Sequence, residues 1–401
     1  MTTLQKTLIA AVACGIFGNQ AFAQKAPQQL ALLQPSNAGP FDEFAYSASI
    51  SDDVVATTGC GGVCVFVKPT NGWKSTTQSA ALTASDGSIL VVSAISGNTV
   101  AAAGSNGELY VFVEPQSGWA NTTETAKLTT SDGSHLNSVA ISGNTIISGS
   151  PTATVGGRQS QGAVYIFVEP TGGWIDAAQD AILTASDGQA GDNFGNAVVI
   201  EGTTALVGAY NASTGGFGVQ GAAYLFTMPA QGWSNSTETA KFTASDGTSD
   251  AAFGRSVSLD GQTAVVGAST ALDANDVGGG AVYVFAEPPS GWATGNETAK
   301  LTPTNPVELG SLGYSVCVSG NLISAGAPGA FGFTKRQATY EFLKPASGWQ
   351  NKSQSAAITP KKAPGYAQFG YATGCSGNTI VVGSPGSEYT SYEGAAYVFA
   401  P

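Results

Sequence analysis

Histidine is nearly absent from this chain. His135 is the only histidine among 401 residues, which excludes metal sites built on several histidines and most Ser-His or Cys-His catalytic arrangements. His135 follows the turn residues Asp132-Gly133-Ser134, and such a position favours a solvent-exposed loop residue. The sequence therefore offers little for nucleophilic or metal-assisted catalysis.

Basic residues are also scarce. Fifteen Lys and Arg stand against 27 Asp and Glu, and the formal net charge is −12. Nucleic-acid binding needs a basic face that displaces counterions from phosphates, and scattered cations do not supply one. The same charge balance disfavours adsorption to anionic membrane surfaces. We expect no nucleic-acid partner.

Acidic residues are present, but they do not form an evident catalytic pair. Glycosidases need two carboxylates that face one pocket. Asp192, Asp250 and Glu308 recur ahead of a repeated Phe-Gly position, and Asp187 and Asp246 lie in repeated TASDG segments. Acids at such places usually cap turns by bonding to the backbone. The prediction is that the protein is not an enzyme.

Long apolar runs are missing beyond the N-terminus. Residues 1–23 combine Lys6, the apolar stretch TLIAAVACGIFG and the small-residue site Ala21-Phe22-Ala23, a pattern typical of a secretory signal cleaved near Ala23. A cytosolic N-terminal helix and a lipoprotein acylated at Cys14 are the alternatives. The expected domains are a signal peptide (1–23) and a mature chain (24–401) that is secreted or extracytoplasmic, in the periplasm or at the cell surface. We expect it to be monomeric, with no integral membrane span.

Cysteine is sparse, and four of the five cysteines follow the signal. An oxidising compartment permits disulfides. Cys60 and Cys64 flank a short hairpin loop and are the candidate pair. Cys317 and Cys375 lie on equivalent strands of neighbouring repeats, but one register position apart. Within a strand that offset places them on opposite faces, which argues against a bridge.

Glycine and a repeated pattern dominate what is present. All six tryptophans follow a glycine, and the Gly-Trp pairs recur at intervals of roughly 45 to 60 residues, a period that indicates a repeat architecture. Each unit has four short apolar runs, shown by FGRSVSL, TAVVGA, AVYVF and AKLT within 253–302. Tight Gly-containing turns between the runs predict antiparallel hairpins.

The third run of each unit is apolar on both faces, as in Ala281–Phe285. An ordinary antiparallel sheet is polar on its solvent face, whereas sheets packed radially around an axis are dry on both faces. Seven such runs predict an all-β fold, a seven-bladed β-propeller of four-stranded antiparallel blades. A parallel β-helix is the alternative, but its rungs are much shorter and lack hairpins.

The repeat resembles the FG-GAP repeat of integrin α-subunit propellers and of many secreted bacterial proteins. Phe-Gly occurs at 194–195, 253–254 and 369–370, and GAP-like runs occur at 207–210, 266–269, 325–328 and 382–385. In the first three repeats Phe44-Ala45, Leu90-Val91 and Leu136-Asn137 replace Phe-Gly. The resemblance implies that each repeat supplies the outer strand of one blade and the inner three strands of the next. An N-terminal outer strand at 29–33 would then pair with 397–401 and close the ring.

Many FG-GAP blades carry a calcium loop of the DxDxDG kind between their first two strands. Here those turns are short and poor in carboxylates, and the nearest match, Asp273–Gly278, has Val277 at a ligand position. No metal or cofactor is assigned, and the fold is expected to be metal-independent.

The variable loops of the repeat indicate the functional face. Loops between the second and third strands, and those that lead to Phe-Gly, differ in content from blade to blade, and variable loops on a rigid scaffold often bind ligands. The candidate ligand residues are Phe331, Phe333, Arg336, Tyr389 and Tyr392. The predicted function is a secreted binding or adhesion module for an unidentified protein or glycan. A polysaccharide-acting propeller hydrolase or lyase and a structural surface protein are the alternatives.

Overall fold

The computed structural model describes residues 26–36, 43–213, 218–272, 278–306, 309–329, 337–361, 367–386 and 393–401. Within these ranges the regular elements are all β-strands. In this part of the chain no helix has the length and apolar character that a membrane-crossing segment needs.

The strands are numbered along the chain. They are β1 (Gln28–Leu33), β2 (Ala48–Ser51), β3 (Val54–Thr58), β4 (Val63–Val67), β5 (Ala80–Thr83), β6 (Leu90–Ser96), β7 (Thr99–Gly104), β8 (Leu109–Val113), β9 (Thr122–Thr123), β10 (Ala126–Thr129), β11 (Ser138–Ser142), β12 (Thr145–Ser150), β13 (Ala163–Val168), β14 (Ala177–Ala178), β15 (Ala181–Leu183) and β16 (Ala197–Glu201). The second half continues with β17 (Thr204–Ala209), β18 (Ala222–Thr227), β19 (Ala240–Thr243), β20 (Phe253–Asp260), β21 (Thr263–Ala268), β22 (Ala281–Ala286), β23 (Gly295–Asn296), β24 (Ala299–Thr302), β25 (Ser315–Ser319), β26 (Leu322–Ala327), β27 (Ala338–Leu343), β28 (Lys352–Ser353), β29 (Ala356–Ile358), β30 (Ala372–Ser376), β31 (Thr379–Ser384) and β32 (Ala395–Ala400).

These strands form seven sheets, the blades, each with an inner, a second, a third and an outer strand. From the inner strand outwards, blade 1 is β2-β3-β4-β5, blade 2 is β6-β7-β8-β10, blade 3 is β11-β12-β13-β15 and blade 4 is β16-β17-β18-β19. Blade 5 is β20-β21-β22-β24, blade 6 is β25-β26-β27-β29 and blade 7 is β30-β31-β32-β1. The seven inner strands contact one another in a closed cycle, from β2 through β6, β11, β16, β20 and β25 to β30 and back to β2. The predicted seven-bladed propeller is confirmed.

The ring closes through the first strand of the chain. Strand β1 pairs antiparallel with β32, with Gln28 opposite Ala400 and Leu33 opposite Ala396. Ala31 and Leu33 are fully buried there. The predicted closure by an N-terminal outer strand is therefore confirmed, and it removes two strand edges that would otherwise be open to pairing.

The hydrophobic core lies between the blades. In blade 5 the third-strand residues Val282, Tyr283, Val284 and Phe285 are all buried, so both faces of that strand are covered. One apolar cluster joins blade 3 to blade 4, and another joins blade 4 to blade 5. This burial explains why the buried part of the third strand is continuously apolar in six of the seven blades. In blade 6, Thr339 and Glu341 interrupt the apolar run.

The Phe-Gly and Gly-Ala segments meet across the gap between blades. Phe253 packs edge-on against Tyr283 and Phe285 of its own blade. The carbonyl oxygen of Gly313 in blade 6 lies against the α-carbon of Gly267 in blade 5, where a β-carbon would overlap it. Ser256 of blade 5 donates its hydroxyl to the same carbonyl at 2.8 Å. Gly149, Gly208, Gly326 and Gly383 make the same contact, so five of the seven blades dock on the next through a glycine that tolerates no side chain. Blades 1 and 2 have Thr58 and Ala103 at this position.

A latch that the sequence analysis did not foresee joins neighbouring blades at the rim. The segment after a Gly-Trp turn adds a two-residue parallel strand to the preceding blade, as β9 does to β5 and β23 to β19. Beside β9, the Glu124 carboxylate accepts hydrogen bonds from the backbone and the hydroxyl of Ser85, at 2.8 and 2.6 Å. Glu238 and Glu297 repeat this contact on Ser186 and Ser245. Four of the seven sheets thus have five strands.

Two disulfides are formed. Cys60 and Cys64 are bonded across the hairpin loop of blade 1. Cys317 of β25 is bonded to Cys375 of β30, so the expectation that this pair would not bridge is wrong. Blades stack face to face, and the front of one inner strand meets the back of the next. The offset of one register position is therefore what brings these two sulfurs together.

Candidate functional site: the mouth of the axial channel

The inner strands surround the propeller axis, and each begins at the end of the ring that carries the variable loops. The residue directly after Phe-Gly, or its equivalent, stands at this channel mouth. It is Tyr46 in blade 1, Asn196 in blade 4, Arg255 in blade 5, Tyr314 in blade 6 and Tyr371 in blade 7. Five contiguous blades therefore present a side chain at the same level.

A recurrent backbone turn holds these side chains in place. In each of the five blades the backbone N–H of the channel-mouth residue donates to the carbonyl three residues earlier, as Tyr314 does to Ser311 at 3.1 Å. Ser311 has a φ of 59° and Gly313 a φ of 86°. Glycine adopts a positive φ freely, but the left-handed conformation of Ser311 is costly unless the surroundings fix it. The repetition of this turn indicates a built feature rather than a chance loop conformation.

Blades 2 and 3 lack the extra residue. In blade 5, Gly254 and Arg255 lie between the paired residues Phe253 and Ser256, which makes a bulge. In blade 2 only Val91 separates the paired residues Leu90 and Val92. Blade 3 likewise has Asn137 alone between Leu136 and the first residue of β11. The channel-mouth side chains therefore form an arc over five blades and not a full ring.

Three tyrosines lie side by side in this arc. The rings of Tyr46 and Tyr371 are 4.8 Å apart between centroids, and those of Tyr371 and Tyr314 are 4.9 Å apart. Tyr46 is exposed, whereas Tyr314 and Tyr371 are half-buried. Burial raises the pKa of Tyr371 far above its ordinary value, and the neighbouring Tyr314 and Tyr46 raise it further. The Tyr371 hydroxyl therefore stays protonated and able to donate.

Arg255 continues the arc beyond Tyr314. Its guanidinium donates to the Tyr314 hydroxyl at 2.8 Å and lies 4.6 Å from the centre of that ring. On its other side the ring of Tyr210 is 5.7 Å away. We call Tyr46, Tyr371, Tyr314, Arg255 and Tyr210 the channel-mouth crescent. Cation–π contact and one hydrogen bond fix the guanidinium within it.

No described carboxylate forms an ion pair with Arg255. The ion pairs of the described residues all involve lysines, namely Lys68, Lys127, Lys241 and Lys300. An arginine remains charged at any physiological pH. Within the described part of the chain, the crescent therefore carries a positive charge that no acidic side chain neutralises.

The recurring aspartates of the SDG turns have a structural role. Asp246 follows the outer strand of blade 4 and accepts hydrogen bonds from two residues of blade 5, Tyr283 at 2.9 Å and Lys300 at 2.6 Å. Burial alone would raise the pKa of Asp246, but these two bonds outweigh it and hold the pKa below its usual range. Asp187 has the same two kinds of partner in Tyr224 and Lys241. These acids tie an outer-strand turn to the next blade, a role that the sequence analysis did not predict.

The other acids considered for catalysis are not brought together as a pair by the described residues. Asp192 is buried and accepts the backbone N–H of Gln189 at 2.8 Å. Asp250 is exposed in its loop, and Glu308 lies outside the described residues. Among the residues that are described, no group of three or more His, Cys, Asp or Glu is placed to hold a metal ion.

A polar cavity of about 300 Å³ lies on the same face, between the outer-strand turn of blade 2 and the second-strand loop of blade 3. Asp132, His135, Ser150 and Thr152 are among its lining residues. The Asp132 carboxylate already accepts the Tyr165 hydroxyl at 2.7 Å. The buried Ser150 hydroxyl has no partner. This cavity is the second candidate for a ligand, beside the crescent.

The ligand residues predicted from the sequence lie outside the described residues. These are Phe331, Phe333, Arg336, Tyr389 and Tyr392, and Asp273 and Asp276 of the nearest calcium-like match lie outside them as well. They stay predictions. Their loops join the second and third strands of blades 6 and 7, the two blades that carry Tyr314 and Tyr371.

The crescent lies outside the predicted site, although the sequence carries a signal for it. The motif drew attention to Phe and Gly, whereas the side chain at the mouth belongs to the following residue. Reading that position through the repeats gives Tyr46, Asn196, Arg255, Tyr314 and Tyr371. Only the turn geometry shows that these residues converge.

A comparison with protein-family models agrees with this architecture. The family model described as "FG-GAP repeat" matches residues 122–167, 177–226, 236–285 and 353–399. No curated protein sequence matches the chain. One matching solved structure is the computationally designed Ika8 protein, 12% identical, with a TM-score of 0.47 over 93% of this chain and 100% of that one. The four matched repeats and the seven blades together show that this chain is an FG-GAP repeat β-propeller.

Proposed function

We propose that the protein is a binding module that recognises its ligand at the loop-bearing end of the ring, with the channel-mouth crescent as the central contact. FG-GAP propellers are binding or structural modules. The observation that favours binding is the crescent itself. Structural packing does not require three adjacent tyrosines at a solvent-facing mouth, beside an arginine that has no ion pair among the described residues. Tyr and Arg are the usual anchors of interfaces.

Exposed apolar residues on the same end support this proposal. Ile89 is 63% exposed, Leu309 51% and Tyr46 41%. Ile89 and Leu309 lie in the segments that lead into the inner strands of blades 2 and 6. Exposed apolar side chains bordered by polar residues are common at recognition sites.

We also propose that the protein acts outside the cytoplasm, as a secreted or cell-surface molecule without catalytic activity. The two disulfides are consistent with an oxidising compartment. The N-terminal signal pattern at 1–23 supports the same location. A protein or a glycan is the expected ligand.

A glycan array and a panel of extracellular matrix and cell-surface proteins, probed with purified protein, test the proposal. The test variant is Tyr314→Ala with Tyr371→Ala. A second variant replaces Phe331, Phe333, Arg336, Tyr389 and Tyr392 with Ala. The matched control, Gln116→Ala with Gln231→Ala, alters exposed residues of the Gly-Trp loops at the opposite end.

We expect the crescent variant to lose at least tenfold in affinity for any ligand found, because interface anchors are often worth 2 kcal/mol or more. The loop variant should also weaken binding, and the control should not. Binding that depends on Gln116 and Gln231, or on His135 and Thr152 of the polar cavity, with the crescent variant unaffected, would contradict the assignment.

A further inference from the structure

The crescent combines one cation with aromatic faces in a fixed order. From Arg255 the surface continues through Tyr314 and Tyr371 to Tyr46, with each ring less than 5 Å from the next between centroids. A tyrosine offers an apolar face and a polar hydroxyl with little conformational freedom to lose. The arrangement therefore suits a ligand that has a negative group at one end and a row of rings with apolar faces and hydroxyl groups beside it.

The Arg255 guanidinium is oriented to bind a planar anion. Its bond to the Tyr314 hydroxyl fixes its orientation, and a guanidinium presents five N–H donors, so donors remain for a second partner. A carboxylate matches that fork with two parallel hydrogen bonds. No acid among the described residues occupies it, as the ion pairs of those residues show.

The charge of the whole chain limits how acidic the ligand can be. The formal net charge is −12, so a polyanion would be repelled over the distance at which charges act in dilute salt. One guanidinium at the centre of an acidic protein selects a ligand with an isolated negative group on an otherwise neutral body. This favours a saccharide with occasional acidic residues over an acidic peptide segment.

We propose that the channel-mouth crescent binds an acidic saccharide, with the carboxylate of one uronic acid residue on Arg255 and the adjoining sugar rings on Tyr314, Tyr371 and Tyr46. This rests on the proposed function and names the ligand class for the same site. The C–H faces of pyranose rings pack against the tyrosine rings. Their hydroxyl groups exchange hydrogen bonds with the phenols.

A matched pair of probes tests the carboxylate directly. One probe is an oligosaccharide with a single glucuronic acid among neutral sugars. The other is the same oligosaccharide after chemical reduction of its carboxyl group, so that only the charge and one oxygen differ. Affinities for wild type, Arg255→Gln, Arg255→Lys and Tyr371→Ala are measured by calorimetry, with thermal melting of each variant as the folding control.

We expect reduction of the carboxyl group to weaken binding to wild type by roughly 10- to 100-fold, the effect of losing a charge-assisted hydrogen bond. Arg255→Gln should weaken binding of the acidic probe similarly and should no longer distinguish the two probes, because the two changes remove the same interaction. Arg255→Lys should retain part of the discrimination. Should Arg255→Gln not fold, the comparison of the two probes on wild type still decides the matter.

Other outcomes separate this inference from the proposed function. Equal affinity for both probes, lost in Tyr371→Ala, would refute the carboxylate anchor and leave binding at the crescent intact. Selective binding of a glutamate-containing peptide, with neither saccharide bound, would refute the saccharide class alone. Saccharide binding that survives every crescent variant would overturn both proposals.

Discussion

Replacing Glu341 with Val should stabilise the propeller. Glu341 lies on the third strand of blade 6, opposite Ser324, and its side chain is 2% exposed. The equivalent residues of the other six blades are all fully buried and apolar, namely Val65, Val111, Ile166, Leu225, Val284 and Val398. Blade 6 therefore places a carboxyl group where its sister blades place a methyl-bearing side chain.

The surroundings do not satisfy this carboxyl group. Ser324 pairs with both Glu341 and Cys317, and Cys317 is bonded to blade 7, so this face of the strand points towards blade 7. Oε1 of Glu341 and the hydroxyls of Ser324 and Thr339 are buried without hydrogen-bond partners. A buried polar group left unsatisfied costs about 1–3 kcal/mol. For a ring of this size that corresponds to a melting-temperature gain of about 1–4 °C on Glu341→Val, from the average unfolding entropy per residue.

The gain should depend on pH. Burial raises the pKa of Glu341 above its ordinary value, so the folded state holds its proton more tightly than the unfolded state does. The stabilising contribution of that proton is complete below the unfolded pKa of about 4.3 and is lost as pH rises through the folded pKa. The advantage of the Val variant should therefore widen between pH 4 and pH 8.

Urea unfolding at pH 4, 6 and 8 measures this effect, and Glu341→Gln is the control. Gln keeps the shape and the polarity of Glu but cannot ionise, so the free energy of unfolding of Glu341→Gln should exceed that of wild type only at the higher pH. The reasoning fails if Glu341→Val is less stable than wild type at every pH, or if its advantage is the same at all three.

Three further perturbations test the architecture. Deleting 24–34 should lower the melting temperature by many degrees, because blade 7 loses β1 and the burial of Leu33 alone is worth about 2 kcal/mol. Deleting 24–27 should change the melting temperature little, and equal melting temperatures of the two forms would contradict closure by β1. Gly267→Ala should cost about 1–3 kcal/mol of stability, because the added methyl group overlaps the Gly313 carbonyl. Gly295 has open space around it, so Gly295→Ala should be near neutral, and similar urea midpoints for the two variants would refute the docking role of Gly267. Cys317→Ser opens a bridge between residues 58 positions apart, and the loss of the constraint on the unfolded chain should cost about 4 kcal/mol, against about 2 kcal/mol for Cys60→Ser with a separation of 4. A calorimetric ranking in the opposite order would contradict this dependence on separation.

The architecture could be predicted because its signals repeat. The Gly-Trp pairs, the doubly apolar third strands and the Phe-Gly positions occur many times, so a weak pattern in one blade is supported by the others. Even the degraded Leu90 and Leu136 occupy buried positions. What the pattern could not give is the number of residues in each bulge, because the loss of one residue at Val91 or Asn137 leaves the apolar period unchanged.

The site depended on relations between blades, and these were harder to predict. The Cys317–Cys375 bridge was misjudged because register was compared as though the strands shared one sheet, whereas the two blades stack. The crescent was missed because its members are at least 45 residues apart along the chain, a spacing that carries no local pattern. Single positions such as Glu341 differ from their repeats without any sequence sign of which face they occupy.

Closure by β1 also sets the order in which the ring can be completed during synthesis. Domains fold from the N-terminus as the chain emerges, and blades 1 to 6 contain strands that lie close together in sequence. Strand β1 is made first but must wait for β32, which ends at Ala400. Until β32 is made, β1 has no partner in its own chain, so β1 of one chain can pair with β32 of another to give a swapped dimer. The fold is thus exposed to intermolecular pairing until the last strand arrives.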